Sequence, residues 1–575
     1  MSNKRGKQHA LLIVVLFLVN KNSASTEFDV ATSTSSQELE PIVEISTGKI
    51  QGRALTTVDN KKVYYGFLGI PYGQPPIGNL RFHEPLPAES WNDILSTKTD
   101  GKRCIQFIST SGSEDCLNIN VFTPKLPNAT SENATDTLLP VMVWIYGGAF
   151  ANGASTIENF SPDYLIDDEV LVVTFNYRVG VFGFLSTGDY AAPGNWGLKD
   201  QILALKWIKD NIVQFGGDPE GVTLFGESAG AACVSILVQS TLAKGLFHRA
   251  IMQSGTSLNQ WSRARSPRES AFALGRILDI RTNDSKVLVD QLRKIDNRTL
   301  QTTSTSTNLG ETILHNPLDG LTFAPTIEVP HPGAVFTNQS HETLRNGDIN
   351  RIPVIVGFNS QEALPFIDVI KYLKPYIATY DIFATRLVPD SLNIKRKLMK
   401  VLAASIIRKK YFGVAPITFS TTRLTQFVTD DQFARPIYEY VRQSSKYSPT
   451  YFYIFSYEGP LGVNGKKRSQ PGVGHTEDNK YLWNIDTNIK NPPSEDVLTR
   501  KRLVRLWTNF AKSANPTPTP DAILQNITWA PSNIRAMIYL NISRNLELNV
   551  EASQYIISFW DRIFQIYGQS SYDTY

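Results

Sequence analysis

Cysteine, histidine and net charge are all scarce in this chain of 575 residues. It has three cysteines and seven histidines. Three cysteines without a histidine cluster beside them give no zinc-site pattern. The 57 basic residues barely exceed the 53 acidic ones. Four of the basic ones, Lys4, Arg5, Lys7 and Lys21, lie in the first 25 residues, which hold no acid; the remainder carries 53 of each sign. That balance gives no electrostatic reason for a nucleic-acid or anionic-membrane partner. There is no internal repeat and no low-complexity domain. The one long apolar run, Leu11 to Val19, is too short to span a bilayer comfortably, and no second run follows. What is present is ordinary for a globular protein: 42% apolar and 19% charged residues. The length allows several domains or one large α/β core.

The N-terminus reads as a secretory signal peptide over residues 1–25. A basic start precedes the apolar run, and Ser23, Ala24 and Ser25 supply small residues for cleavage. An uncleaved anchor is the alternative. Residues 26–575 are then expected to form one secreted, extracellular domain. Glycosylation sequons stand at Asn128, Asn133, Asn283, Asn297, Asn338, Asn526 and Asn541. An eighth, at Asn159, is set aside because Pro162 follows its serine. In an oxidising compartment Cys104 and Cys116, flanking a Ser/Gly-rich segment, are expected to pair. Cys233 then remains single and reads as a small buried apolar residue.

Short β-branched runs end in turn residues at 141–148, 170–178, 222–228, 249–255, 353–360 and 450–457. Continuous apolar strands with helical stretches between them predict a largely parallel sheet covered on both faces. In GLKDQILALKWIKDNIVQFGGDP, Ile202, Leu205, Ile208 and Ile212 share one helical face, and Gly216-Gly217 ends it.

The stretch VTLFGESAGAACV places Ser228 where such a strand turns into a helix. A lone G-x-S-x-G decides little, but this context is that of a nucleophile elbow. Gly226 and Gly230 are required where side chains would crowd the turn. The following helix aims its N-terminus at developing negative charge. A serine nucleophile needs a base, and the base an orienting acid, in the chain order serine, acid, histidine. Of the histidines only His475, in the Gly-rich loop PGVGHTED, leaves room for an acid at a strand end after Ser228. Its glycines predict a turned loop rather than a core position. Glu362 stands just past the strand PVIVGFNS; spacing alone leaves it open between the orienting acid and a free surface carboxylate. Backbone N–H groups of Gly148 and Ala149, in the Gly-Gly turn of VWIYGGAF, and of Ala229 are placed to hold an oxyanion.

These motifs, with GFLGIPYGQPPIGNLRF at 66–82, SEDCLNINVFTP at 113–124 and NYRVGVFGFLS in matching order, resemble the type-B carboxylesterases. This is the carboxylesterase/cholinesterase family of α/β-hydrolases, and the resemblance runs from about residue 42 to 565. It implies an α/β-hydrolase fold, with a mostly parallel central sheet and helices on both faces. It implies Ser228, Glu362 and His475 as catalytic triad and Gly148, Ala149 and Ala229 as oxyanion hole. It further implies a salt bridge between Arg81 and Glu114, support of the histidine by Ser254, and Trp261 on the acyl side of the pocket. The motif details resemble insect esterases; juvenile hormone esterases usually carry Gln where Glu227 precedes the serine. Departures from the family pattern are Tyr146 for His, Ala149 for a third Gly, Ala363 for Gly after the acid, and no cysteine in SLNQW for a second disulfide. The Cys104–Cys116 loop is short and lacks the Trp with which cholinesterases stack a quaternary ammonium.

The expectation is a secreted serine carboxylesterase that works through an acyl-enzyme, with no metal or organic cofactor. Its partner is a small-molecule ester, with no nucleic acid and no membrane anchor, in a monomer or weak dimer. Rival readings are a juvenile hormone esterase-like specific hydrolase and a non-catalytic, neuroligin-like adhesion protein. The latter usually loses a triad member that this chain keeps.

Overall fold

A computed structural model describes residues 40–107, 111–127, 138–308, 318, 320–366, 374–468, 470–485, 489–550, 554–569, 572, 574 and 575. The expected leader, 1–25, and the sequons at Asn128 and Asn133 lie outside the described residues. Fourteen strands are present among these: β1 (Ile42–Ile45), β2 (Gly48–Gln51), β3 (Arg53–Thr56), β4 (Val63–Pro71), β5 (Leu95–Ser96), β6 (Asn118–Thr123) and β7 (Leu139–Ile145). The remainder are β8 (Leu171–Phe175), β9 (Gly217–Glu227), β10 (Arg249–Gln253), β11 (Val354–Asn359), β12 (Thr450–Phe455), β13 (Ile538–Ile542) and β14 (Leu546–Val550).

Eleven strands make one sheet in the order β14-β13-β12-β11-β10-β9-β7-β8-β6-β4-β3, and β1, β2 and β5 make a small separate one. The run from β8 through β13 is parallel throughout, and the antiparallel pairings lie at the two edges. The six apolar runs read from the sequence are the six strands β7 to β12. Successive strand residues point to opposite faces, yet every residue of β8 and of β11 is buried. Both faces are therefore covered, which is why these strands read as unbroken apolar runs. The helices Ala229–Gln239 and Ser494–Ser513 both pack against β7 and β9.

The helix expected in GLKDQILALKWIKDNIVQFGGDP spans Trp196–Asn211 and buries Ile202, Leu205 and Ile208. A 3-10 turn, Ile212–Phe215, follows, and Gly216 closes it in the left-handed conformation at φ 81°. Gly217 is not part of that stop; it opens β9. The parallel strands all point their C-terminal ends to one edge of the sheet, the usual place for a site in such folds. Four of these ends, those of β7, β9, β10 and β11, supply residues described next, and the loop that carries His475 joins them.

Candidate active site

Ser228 follows directly on β9 and caps the helix Ala229–Gln239, with φ 57° and ψ −125°. Few L-residues adopt that conformation, and it is tolerated only where the surroundings fix it. Here they do. Ser228 N–H donates to the Gln253 carbonyl at 2.8 Å, and Ala232 N–H donates to the Ser228 carbonyl at 2.9 Å. A Cβ on Gly230 would come within 2.0 Å of the Ile145 carbonyl oxygen, and one on Gly226 within 2.7 Å of the same atom. Both glycines of the motif are therefore steric requirements of the turn.

His475 and Glu362 meet this serine. Ser228 Oγ lies 2.8 Å from His475 Nε2, and His475 Nδ1 lies 2.6 Å from Glu362 Oε2. The His475 backbone N–H also donates to the Glu362 carbonyl at 3.1 Å, so acid and histidine are joined twice. Glu362 is fully buried, which rules out the free surface carboxylate. Its second oxygen, Oε1, accepts from Ser254 Oγ at 2.5 Å and from Asn359 N–H at 2.6 Å. Ser254 thus contacts Glu362, which in turn contacts the histidine. Ala363 fits in place of glycine: its N–H donates to Thr429 Oγ1 at 3.1 Å.

His475 departs from the sequence expectation in one respect. It does sit in a tight loop, with Thr476 next to it at φ 70°, but it is buried. The burial comes from distant residues that no local pattern announces. Phe433 places its ring 5.0 Å from the imidazole, Phe366 lies 6.1 Å away, and Trp261 packs 5.7 Å from Phe433. Phe433 rides on a π-turn, Asp430–Ala434, a rare wide turn found disproportionately at functional sites. The Gln432 carbonyl of that turn accepts from Trp261 Nε1 at 2.9 Å and from Asn259 Nδ2 at 2.8 Å. Trp261 is therefore fixed beside Phe433.

A second carboxylate also faces the imidazole. Glu227 Oε1 lies 3.1 Å from His475 Nε2, the nitrogen that meets Ser228. Burial alone would weaken the proton affinity of His475, but Glu227 and then Glu362 outweigh it and hold the imidazolium above its ordinary range. Burial likewise pushes the Glu227 carboxyl up, against the pull of His475.

Behind these groups Asp478 accepts from Gln253 Nε2 at 2.7 Å and from Asn359 Nδ2 at 3.0 Å. Asn359 also donates to the Gly474 carbonyl at 2.9 Å, and Trp507 Nε1 donates to Gln253 Oε1 at 3.1 Å. One buried network thus ties the ends of β10 and β11 to the histidine loop.

Opposite Ser228, β7 runs into Gly147-Gly148-Ala149. A Cβ on Gly147 would stand 2.6 Å from the Glu227 carbonyl oxygen and 3.0 Å from Ser228 Cβ, so the turn lies against the serine. Gly148 and Ala149 have φ of 116° and 55°. Neither N–H donates to an acceptor among the described residues. Ala229 opens its helix, where N–H groups have no intrahelical acceptor. Three donors are thereby available around one serine.

The outlying expectations also have places. Cys104 and Cys116 are disulfide-bonded, and Cys233 is single and buried. Arg81 grips Glu114 with two bonds, Nε to Oε1 at 2.6 Å and Nη2 to Oε2 at 2.7 Å. Its remaining nitrogen donates to the Ile295 carbonyl at 2.6 Å, pinning the disulfide loop to the segment after Leu292. Asn283, Asn338 and Asn526 are exposed, and Asn297 and Asn541 half-buried. No helix among the described residues is long and apolar enough to cross a membrane.

A parallel sheet with a strained serine at a strand–helix elbow defines an α/β-hydrolase. The profile of the Carboxylesterase family matches residues 39–560, and the chain belongs to that family of carboxylic ester hydrolases. Esterase FE4 of Myzus persicae is 32% identical over 92% of this chain and 94% of its own length. Juvenile hormone esterase of Tribolium castaneum is 32% identical over 95% and 97%, and carboxylesterase 1D of Rattus norvegicus 34% over 83% and 86%. A crystal structure of juvenile hormone esterase from Manduca sexta, with OTFP covalently attached, superposes with a TM-score of 0.81. It is 28% identical and matches 92% of this chain and 100% of that one.

Proposed function

We propose that Ser228, His475 and Glu362 are the catalytic triad of a secreted serine carboxylesterase. The observation that carries this is the unbroken chain of short contacts from Ser228 Oγ through His475 to Glu362. With Glu362 accepting at Nδ1, the neutral imidazole presents Nε2 as a base to the serine hydroxyl. Ser228 Oγ attacks the ester carbonyl carbon while its proton passes to Nε2. The oxyanion is held by the N–H groups of Gly148, Ala149 and Ala229. As the tetrahedral intermediate collapses, His475 returns the proton to the departing alkoxide and the alcohol leaves. Water then attacks the acyl-enzyme by the same proton route and frees the acid. Glu362 keeps the imidazole in the required tautomer and steadies its charged form.

The test is Ser228→Ala. It should abolish ester hydrolysis and labelling by an organophosphate with the fold intact; undiminished turnover would remove the proposal. On the acyl side, Ala149, Trp261 and Phe433 narrow the space, which favours short acyl chains on larger apolar alcohols. Juvenile hormone hydrolysis is a second reading, favoured by the similarity to two enzymes of that name. Comparing kcat/KM for juvenile hormone with that for simple esters decides between them. The leader at 1–25, the disulfide and the exposed sequons support secretion of residues 26–575 as one monomeric or weakly dimeric domain. N-terminal sequencing and glycosidase digestion of protein secreted by cultured cells test this.

A further inference from the structure

The helix Lys397–Tyr411 reverses the usual pattern of a surface helix, whose apolar stripe faces the core. It turns Ala403, Ala404, Ile407 and Tyr411 inward. Its outer side shows Leu398 (67% exposed), Val401 (51%), Leu402 (44%) and Ile406 (40%). Their spacing of three, four and eight places them on one stripe, opposite the buried one. The neighbouring turn Ala384–Leu387 packs against this helix, and Phe383 just before it is 56% exposed. An apolar surface of this extent on a folded chain marks an interaction site.

Charge identifies the partner. Residues 395–410 hold seven Lys or Arg and no Asp or Glu, although the chain beyond its leader is balanced. Lys400 and Arg408 are paired with Asp390 and Asp381, each at 3.4 Å. Lys395, Arg396, Lys397 and Lys409 are exposed around the apolar stripe. An apolar helical stripe ringed by long basic side chains is the chemistry of a helix lying in a lipid interface, its cations reaching back to the headgroups. A second copy docked by the same face would set the exposed cations Lys395, Arg396, Lys397 and Lys409 against their own copies, which disfavours self-association there.

We infer that the helix Lys397–Tyr411 is a reversible docking surface for anionic lipid, on which the enzyme lies without spanning the bilayer. The balance of charge over residues 26–575 conceals it because the balancing acids lie elsewhere. The helix is also joined to the acyl-side wall. Tyr411 OH, at its end, donates at 3.0 Å to Asp430 Oδ2, the first residue of the π-turn that carries Phe433.

The experiment is sedimentation of the full mature protein with phosphatidylcholine vesicles, with and without phosphatidylserine, at low and high salt. Binding is expected to need phosphatidylserine, to weaken with salt, and to fall at least about tenfold in Leu398→Ser/Leu402→Ser and in Lys397→Glu/Lys409→Glu. Hydrolysis of a soluble ester by both variants should equal that of the parent, which shows that they fold. No binding, equal binding to both vesicle types, or variants that bind like the parent overturn the inference. A concentration-dependent dimer dispersed by Leu398→Ser/Leu402→Ser, without vesicle binding, overturns it in favour of a second copy of the chain.

Discussion

Replacing Glu227 with Gln keeps the shape of the side chain and removes a carboxyl group 3.1 Å from His475 Nε2, one that burial leaves ionised only above about 8. An opposite charge this close raises an imidazole by about 1–3 pH units, or about 1.4–4 kcal/mol in favour of the protonated form. A general base must be unprotonated. In the parent, with the imidazole held up at about 9, kcat/KM should therefore rise with pH along a markedly alkaline acid limb. In Glu227→Gln that limb should lie about 1–3 units lower. Stability responds in a related way. The folded-state values of Glu227 and His475 both exceed the unfolded ones, 4.5 moving to about 8 and 6.5 to about 9. Each group contributes stability that is complete below its unfolded value and lost as pH rises to its folded value. The parent should lose stability across these two windows; the variant should lack the lower one and show a narrower upper one. The assays are kcat/KM for an ester of a non-ionising alcohol across the pH range, and denaturant midpoints in the same buffers. An acid limb that stays put or moves to higher pH would show that Glu227 carries no charge felt by His475.

Glu362→Gln leaves the contact geometry but favours the wrong imidazole tautomer, so kcat should fall by several orders of magnitude; near-parental turnover would mean that another carboxylate orients His475. Ala149→Gly keeps the N–H and removes a methyl at φ 55°. It should shift kcat/KM toward longer acyl chains by about 1–3 kcal/mol across acetate, butyrate and octanoate esters; an unchanged profile excludes Ala149 from the acyl site. Phe433→Leu should widen the same profile by a comparable amount, with His475 still active. Cys104→Ser/Cys116→Ser should lower the unfolding free energy by about 3 kcal/mol for a loop of this size, read from urea melts without reductant.

The parallel centre of the sheet was legible because strands buried on both faces leave continuous apolar runs. The edges were not: β3, β13 and β14 are half exposed and short, and their alternating residues do not stand out from loops. The three residues that meet at the strand ends, Ser228, His475 and Glu362, were legible because tight turns demand glycine and because only one histidine fits the chain order. Phe433 was not, since it covers the histidine from a separate turn, Asp430–Ala434; Asp478 lies in the histidine loop itself, but its bonds to Gln253 and Asn359 join residues far apart in the chain. The burial of His475 was illegible for the same reason: Gly472 and Gly474 describe the turn, and an aromatic ring on a separate turn describes what covers it. Ser254 was named for the right neighbourhood, but only the positions of both Glu362 oxygens show which partner it serves.

A π-turn holds one residue more than the α-helical turn it replaces. Loss of any single residue between Asp430 and Ala434 would let the helix Thr421–Thr429 run on in α-form into Arg435–Ser444. The ends of the helix need move little, yet the ring over His475 would rotate away from it. A one-residue deletion at this turn is therefore expected to move Phe433 off His475 while leaving Ser228, Glu362 and His475 themselves unchanged.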